Sequence, residues 1–145
     1  MNAILDPWKT DSGSKIKAWF VMRLDVPMSQ GKFGVQIGHG TDMIHLSGAQ
    51  NPYYNAWLDP LGGNRRKIAL RAKTLDEIEK VKSACDVTGM ITFLIEDAGL
   101  TEFAGPTVTG LVICPHDDAN IPTILKRTQS WRPTDVSPAA PASAA

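Results

Sequence analysis

Two stretches of this 145-residue chain concentrate the side chains that can do chemistry. In residues 29–40, SQGKFGVQIGHG, Lys32, Gln36 and His39 follow one another at intervals of four and three, the spacing that aligns side chains along a helix. In residues 97–109, DAGLTEFAGPTVT, the carboxylate Asp97 precedes three threonines, Thr101, Thr107 and Thr109. A lysine in the first turn of a helix gains nothing from the macrodipole, which favours anions there. With the free first-turn N–H groups it can bind a phosphate or an oxyanion developing on a substrate. Asp97 can orient a water or accept its proton, and threonine hydroxyls can position that water or the group it attacks. Each group also has a plainer reading: Lys32 as a solvated lysine, the Asp-Ala-Gly run as an ordinary turn, and His39 as a hydrogen-bonded core histidine.

Several other chemistries are excluded by spacing. The Gln-Gly-Lys run ending at Lys32 is not a phosphate-binding P-loop, because Val26 stands where its first glycine belongs and Phe33 where Ser or Thr belongs. No G-x-S-x-G elbow occurs, so a serine hydrolase mechanism has no support. His39, Asp42 and His45 suggest a metal site only superficially, since His45 lies about 120° round a helix from His39. Metal binding by these residues is not expected. Cys85 and Cys114 are far apart and read as buried free thiols.

The elements that must position these groups follow from periodicity and punctuation. Residues 18–24, AWFVMRL, form an apolar run suited to a strand buried on both faces. A helix is expected from about Lys32 after Ser29 or Gln30, with Phe33, Ile37, Gly40 and Ile44 on one face. Gly34, Gly38 and Gly40 each cost about 1 kcal/mol relative to Ala there, which predicts a backbone held close to the sheet or to a ligand. Residues 51–64 carry Tyr53, Tyr54 and Trp57 on a short helix or surface excursion, either as local core or as rings that stack on unpaired bases. Residues 67–72 are the second strand. Thr74 and Glu77 then begin a capped helix with Ile78, Val81, Cys85 and Thr88 along one face, which stops at Gly89. Residues 91–95 and 108–113 are the third and fourth strands, and a short helix is expected over 119–127.

Strand, helix, strand, helix, strand implies two crossovers and three parallel strands. The link to the fourth strand is too short for another crossover, so that strand returns antiparallel to the third. Ligands of such sheets collect beyond the carboxyl ends of the parallel strands. Asp25, Lys32 and Asp97 should lie on that edge, and an antiparallel fourth strand delivers Thr107 and Thr109 to it. Side-chain alternation puts those two threonines on one face and Val108 on the other.

Composition bounds the setting. With 43% hydrophobic and 21% charged residues the chain reads as one ordinary soluble domain, and no run approaches the ~18 apolar residues of a membrane helix. The opening residues, MNAILDPWKTDSGSK, lack a basic start and apolar core, so a cytoplasmic protein is expected. Residues 1–16 read as a flexible extension, 17–128 as the domain, and 129–145 as a disordered Pro/Ala/Ser-rich tail. Fifteen basic residues balance fifteen acidic ones. Arg65, Arg66, Lys67, Arg71 and Lys73 cluster, as do Lys126, Arg127 and Arg132, and either cluster reads as a solvated face or a phosphate-binding patch.

The two chemical stretches resemble a known family. GKFGVQIGHG looks like the GK-x-x-x-Q-x-x-H segment of the type II, archaeal and eukaryotic style, peptidyl-tRNA hydrolases, and DAGLTEFAGPTVT looks like their DAG-x-T…T-x-T segment. The resemblance spans roughly residues 17–126, with both motifs in order. It implies a three-layer α/β/α sandwich with a four-stranded mixed sheet, the last strand antiparallel. It further implies cofactor-free hydrolysis of the ester joining a peptide to the terminal ribose of tRNA, and it allows a homodimer. Lys32, Asp97, Thr101 and Thr109 carry over as catalytic positions, and Gln36 and His39 as supporting ones. The chain departs from the family pattern at Leu100, where a basic residue is usual, at Glu102, where Gln is usual, and in the reversed pair Gly105 and Pro106. Competing expectations are a non-catalytic tRNA- or ligand-binding module of the same fold and a hydrolase of another ester or amide.

Overall fold

The computed structural model describes residues 14–99, 103 and 105–136. In chain order the elements are β1 (Ile16–Arg23), α1 (Gln30–Leu46), α2 (Tyr54–Leu58), β2 (Lys67–Ala72), α3 (Leu75–Val87), β3 (Thr92–Asp97), β4 (Thr107–Asp117) and α4 (Thr123–Arg127). The four strands form one sheet in the order β2-β1-β4-β3. β1 and β2 pair in parallel, and β4 is antiparallel to both β1 and β3. The expected α/β fold with an antiparallel last strand is therefore present, and β1, β2 and β3 all point the same way. Only one parallel pair is hydrogen-bonded, however, because β4 slots between β1 and β3. Its central residues are buried on both faces, which is why it and β1 read as unbroken apolar runs.

Alternation along the strands divides the interior in two. Phe20, Met22, Ile95 and Val112 face α1 and α2, where Ile44 and Trp57 close the layer. Trp19, Val21, Leu111 and Ile113 face α3, meeting Ile78, Val81 and Cys85. Trp57 is fully buried and donates its Nε1–H to the Arg66 carbonyl at 2.8 Å, so it serves as local core, with Tyr54 partly buried against the same cluster. Cys85 and Cys114 are both free and buried, and burial pushes their thiols up to about 12 and about 11.

The helix ends follow local chemistry. Ser29 caps α1 by accepting the Lys32 N–H on its hydroxyl. Thr74 caps α3 through the Glu77 N–H, while the Glu77 carboxylate reaches past the cap to the Lys73 N–H at 2.6 Å. At the other end Gly89 takes φ +87°, with its N–H bonded to the Asp86 carbonyl and that of Met90 to the Cys85 carbonyl, so two orphan carbonyls are satisfied at once. Residues 129–136, which composition groups with the tail, lie along the free edge of β2. Arg71 N–H donates to the Gln129 carbonyl, Trp131 N–H to the Ala69 carbonyl, and Trp131 stacks on Phe33. Among the described residues no helix is long and apolar enough to cross a membrane.

The buried ridge of α1 is Gln36, Gly40 and Ile44, with Phe33 and Ile37 flanking it partly buried. A polar side chain thus sits within the face expected to be apolar. The three glycines also part company. A Cβ on Gly40 would come within 2.7 Å of the Phe20 ring, so this glycine lets the helix lie flat on the sheet, whereas Gly34 and Gly38 have open space beside them. Gly40→Ala should cost about 1–3 kcal/mol through overpacking. Gly34→Ala should stabilise the protein by up to about 1 kcal/mol through helix propensity. Urea unfolding of both variants checks the opposite signs.

Candidate active site

Asp97 ends β3 and is buried, and its donors come from two parts of the chain, its own turn and α1. Its Oδ2 accepts the Gly99 N–H at 2.8 Å, a bond to the backbone two residues on. That turn needs Gly99 at φ +78°, and a Cβ there would run into the Gly105 backbone, so the neck of the 98–106 loop is closed by glycine against glycine. Oδ1 accepts from Lys32 Nζ at 3.0 Å and from Gln36 Nε2 at 2.9 Å, one helical turn apart on α1. The Gly99 bond, with Lys32 and Gln36 adding to it, holds the Asp97 carboxyl below the usual carboxylate range against the opposing effect of burial.

Gln36 is fully buried, and its orientation is set from the far side. Thr109 donates its hydroxyl to Gln36 Oε1 at 2.8 Å, which leaves Nε2 to face the carboxylate. The Thr109 hydroxyl also lies 3.3 Å from the Ile95 carbonyl. Lys32 completes the arrangement, its ammonium 5.5 Å from the centre of the Phe103 ring. With side-chain exposures of 9% and 7%, Lys32 and Asp97 form an ion pair largely removed from water. Such pairs add little net stability, because desolvation offsets attraction, so this one is better explained by what it can do.

A break in strand register brings Thr109 into the network. Between β3 and β4, Ile95 pairs with Gly110 but Glu96 pairs with Val108, so Thr109 is the extra residue of a β-bulge. Without the bulge Thr109 would share the α3 face with Leu111 and Ile113. With it, Thr109 turns to α1, and Thr107, opposite Asp97, lies on that face too. The shared face expected for the two threonines is present, through a device that simple alternation does not contain.

The remaining predicted residues lie around this centre. Thr107 donates to the Gly105 carbonyl at 2.8 Å and so braces the loop. Asp25 is exposed and takes two bonds from Arg23, whose third N–H reaches the Val108 carbonyl; the Arg23 hydrogen bond lowers the Asp25 pKa. It therefore anchors the sheet edge and does not join Asp97. His39 is exposed on α1 rather than tucked against the sheet. Thr101, Leu100 and Glu102 lie outside the described residues. Among the described residues no three His, Cys, Asp or Glu side chains come together as metal ligands. Sequence reading missed the Gly99 N–H, signalled by the Asp-x-Gly turn, and Phe103 and Arg23, for which no signal existed.

Chemically, a carboxylate oxygen accepts about two hydrogen bonds. Oδ1 has both, and among the described residues Oδ2 has one, so Oδ2 can take a water. Thr109→Val removes the donor to Gln36 Oε1 and leaves a buried amide oxygen unpaired, at an expected cost of about 1–3 kcal/mol in urea unfolding. The depressed Asp97 pKa means that the stability it contributes is complete above its unfolded value, roughly 4, and is lost as pH falls through the lower folded value. Stabilities of the wild type and Asp97→Asn should therefore converge as pH is taken from about 5 toward about 2.

Residues 16–130, from β1 through the segment on the β2 edge, match the family model described as Peptidyl-tRNA hydrolase PTH2. The chain is 31% identical over 103 residues to a peptidyl-tRNA hydrolase of Thermococcus onnurineus, covering 70% of this chain and 85% of that one. It is 27% identical over 110 residues to the peptidyl-tRNA hydrolase of Thermoplasma acidophilum, covering 74% and 92%. To that of Saccharolobus islandicus it is 32% identical over 103 residues, covering 69% and 86%. With residues 16–130 matched by the family model and 85–92% of these relatives' length covered, the chain belongs to the PTH2 family of peptidyl-tRNA hydrolases.

Proposed function

We propose that this protein hydrolyses the ester between a peptide and the terminal ribose of tRNA, in the cytoplasm, with Asp97 and Lys32 at the reacting atoms. The observation that carries the reading is the buried chain Lys32–Asp97–Gln36–Thr109 at the carboxyl edge of β3. A carboxylate whose pKa is lowered is a weak base, so its contribution is to hold rather than to deprotonate. Asp97 Oδ2 accepts one O–H of the attacking water, and Thr101, four residues on, is the candidate for a second contact. The water oxygen adds to the ester carbonyl, and Lys32 offsets the charge on the resulting oxyanion or on a neighbouring phosphate. Collapse breaks the bond to the ribose oxygen, which takes up the proton originating from water.

The supporting residues have distinct parts. Thr109 fixes the Gln36 amide, Gln36 fixes the carboxylate, and Thr107 braces the loop. His39, exposed farther along α1, is a candidate contact for the body of the substrate rather than for the reacting atoms.

The test is single-turnover hydrolysis of an N-blocked aminoacyl-tRNA by the wild type, Lys32→Ala and Asp97→Ala, each checked for folding. Loss of one electrostatic donor at the site should lower the rate about 10²–10³-fold. Turnover that survives both substitutions would sink the assignment, and a wild type that binds tRNA without cleaving it would favour a binding module.

A further inference from the structure

A cavity of about 310 Å³ lies at the carboxyl end of β2, on the α3 side of the sheet and away from the Asp97 network. Its walls include the aliphatic side chains of Leu24, Val81 and Ile124. Around it stand four cations, Arg71, Lys73, Lys80 and Arg127, and one carboxylate, Glu77. Glu77 is already engaged with the Lys73 backbone N–H. Arg71 is held by Asp135 and Gln129, and Lys80 by Asp76. The Lys73 ammonium and the Arg127 guanidinium are exposed and have no hydrogen bond or ion pair among the described residues.

Members of the two basic clusters of the sequence, Arg71 and Lys73 from one and Arg127 from the other, some fifty residues apart, thus meet at one opening. In a chain of zero formal net charge this is a local excess that folding creates. We infer that the cavity is a second anchoring site for the tRNA substrate, in which Lys73 and Arg127 neutralise backbone phosphates and the aliphatic walls take apolar ribose or base surface. The inference rests on the hydrolase reading above. Position supports it: Ala72 at the cavity pairs with Arg23, and the chain runs from Arg23 into the loop before Lys32. β2 and β3 are three strand spacings apart, about 14 Å. A polynucleotide whose terminal ribose sits by Lys32 carries charge at intervals of about 3.4 Å along a strand, so it extends past that distance. An aliphatic pocket alone would suit an acidic peptide equally. The unpaired cations on the edge shared with the catalytic lysine favour the polyanion that already has to reach that edge.

The test compares the wild type with Lys73→Ala/Arg127→Ala and with Ile124→Glu, which sets a negative charge in the mouth of the cavity. All three positions are exposed, so folding, checked by circular dichroism, should be retained. With full-length peptidyl-tRNA, KM should rise about tenfold for either variant while kcat stays within about twofold. The slope of log binding constant against log salt should become shallower by about one to two for the double variant, as expected for one or two lost phosphate contacts. If the wild type hydrolyses the substrate and neither KM nor the salt slope responds to either variant, the assignment is overturned. It is likewise overturned if an acidic peptide occupies the cavity without slowing hydrolysis. Failure of the wild type to hydrolyse would count against the hydrolase reading instead, and the salt slope of tRNA binding would still decide the cavity.

Discussion

A carboxylate taken out of water has to be met by donors, and the surroundings of Asp97 are arranged to meet it. One bond comes from its own turn, two from α1, and one of those two is held in place from β4 through Thr109. The network can exist only if three separate features hold together: the start of α1 at the carboxyl edge of β1, the close seat of α1 on the sheet, and the bulge in β4. Removing any single donor leaves a buried charge or amide short of a partner, which is costlier than never having built the site.

The seat of α1 shows how packing serves this chemistry. Gly40 lets the helix approach Phe20 and Ile95, and one turn earlier on the same ridge Gln36 takes a core position that an apolar residue would ordinarily fill. A helix standing farther off could not bring the short Gln36 amide to both Asp97 and Thr109. The glycines of the loop neck act in the same sense. Gly99 adopts a backbone conformation that presents its N–H to the carboxylate and leaves room for Gly105, so the loop leaves and rejoins the sheet through a narrow gate. Rigidity is thereby concentrated at the atoms that hold the carboxylate, as preorganised electrostatic stabilisation requires.

Charge is organised on a larger scale in the same manner. The formal net charge is zero, yet the sheet edge carrying Lys32 also carries the cations gathered at the end of β2. Binding a polyanion depends on local density of cations more than on the total, and local density is a property of the folded surface.

Much of this is legible in the sequence. The four strands, the cap at Thr74 and stop at Gly89, and the convergence of Lys32 and Asp97 on one edge follow from periodicity, capping residues and the direction rules of crossovers, all of which are local or topological. Strand order was not legible, because a short link tells that β4 reverses but not that it inserts between β1 and β3. Nor was Gln36 recognisable as buried, since a polar residue in an apolar stripe reads as a boundary until its partners, 61 and 73 residues away, are seen. The sequence by itself determined which groups reach the carboxyl edge of the sheet and the family to which they correspond. Only the tertiary structure decided which of them touch: a one-residue bulge turned Thr109 toward Gln36, side-chain pairing drew Asp25 to Arg23, and helix rotation left His39 in solvent, because contact depends on register and rotation that spacing along the chain does not encode.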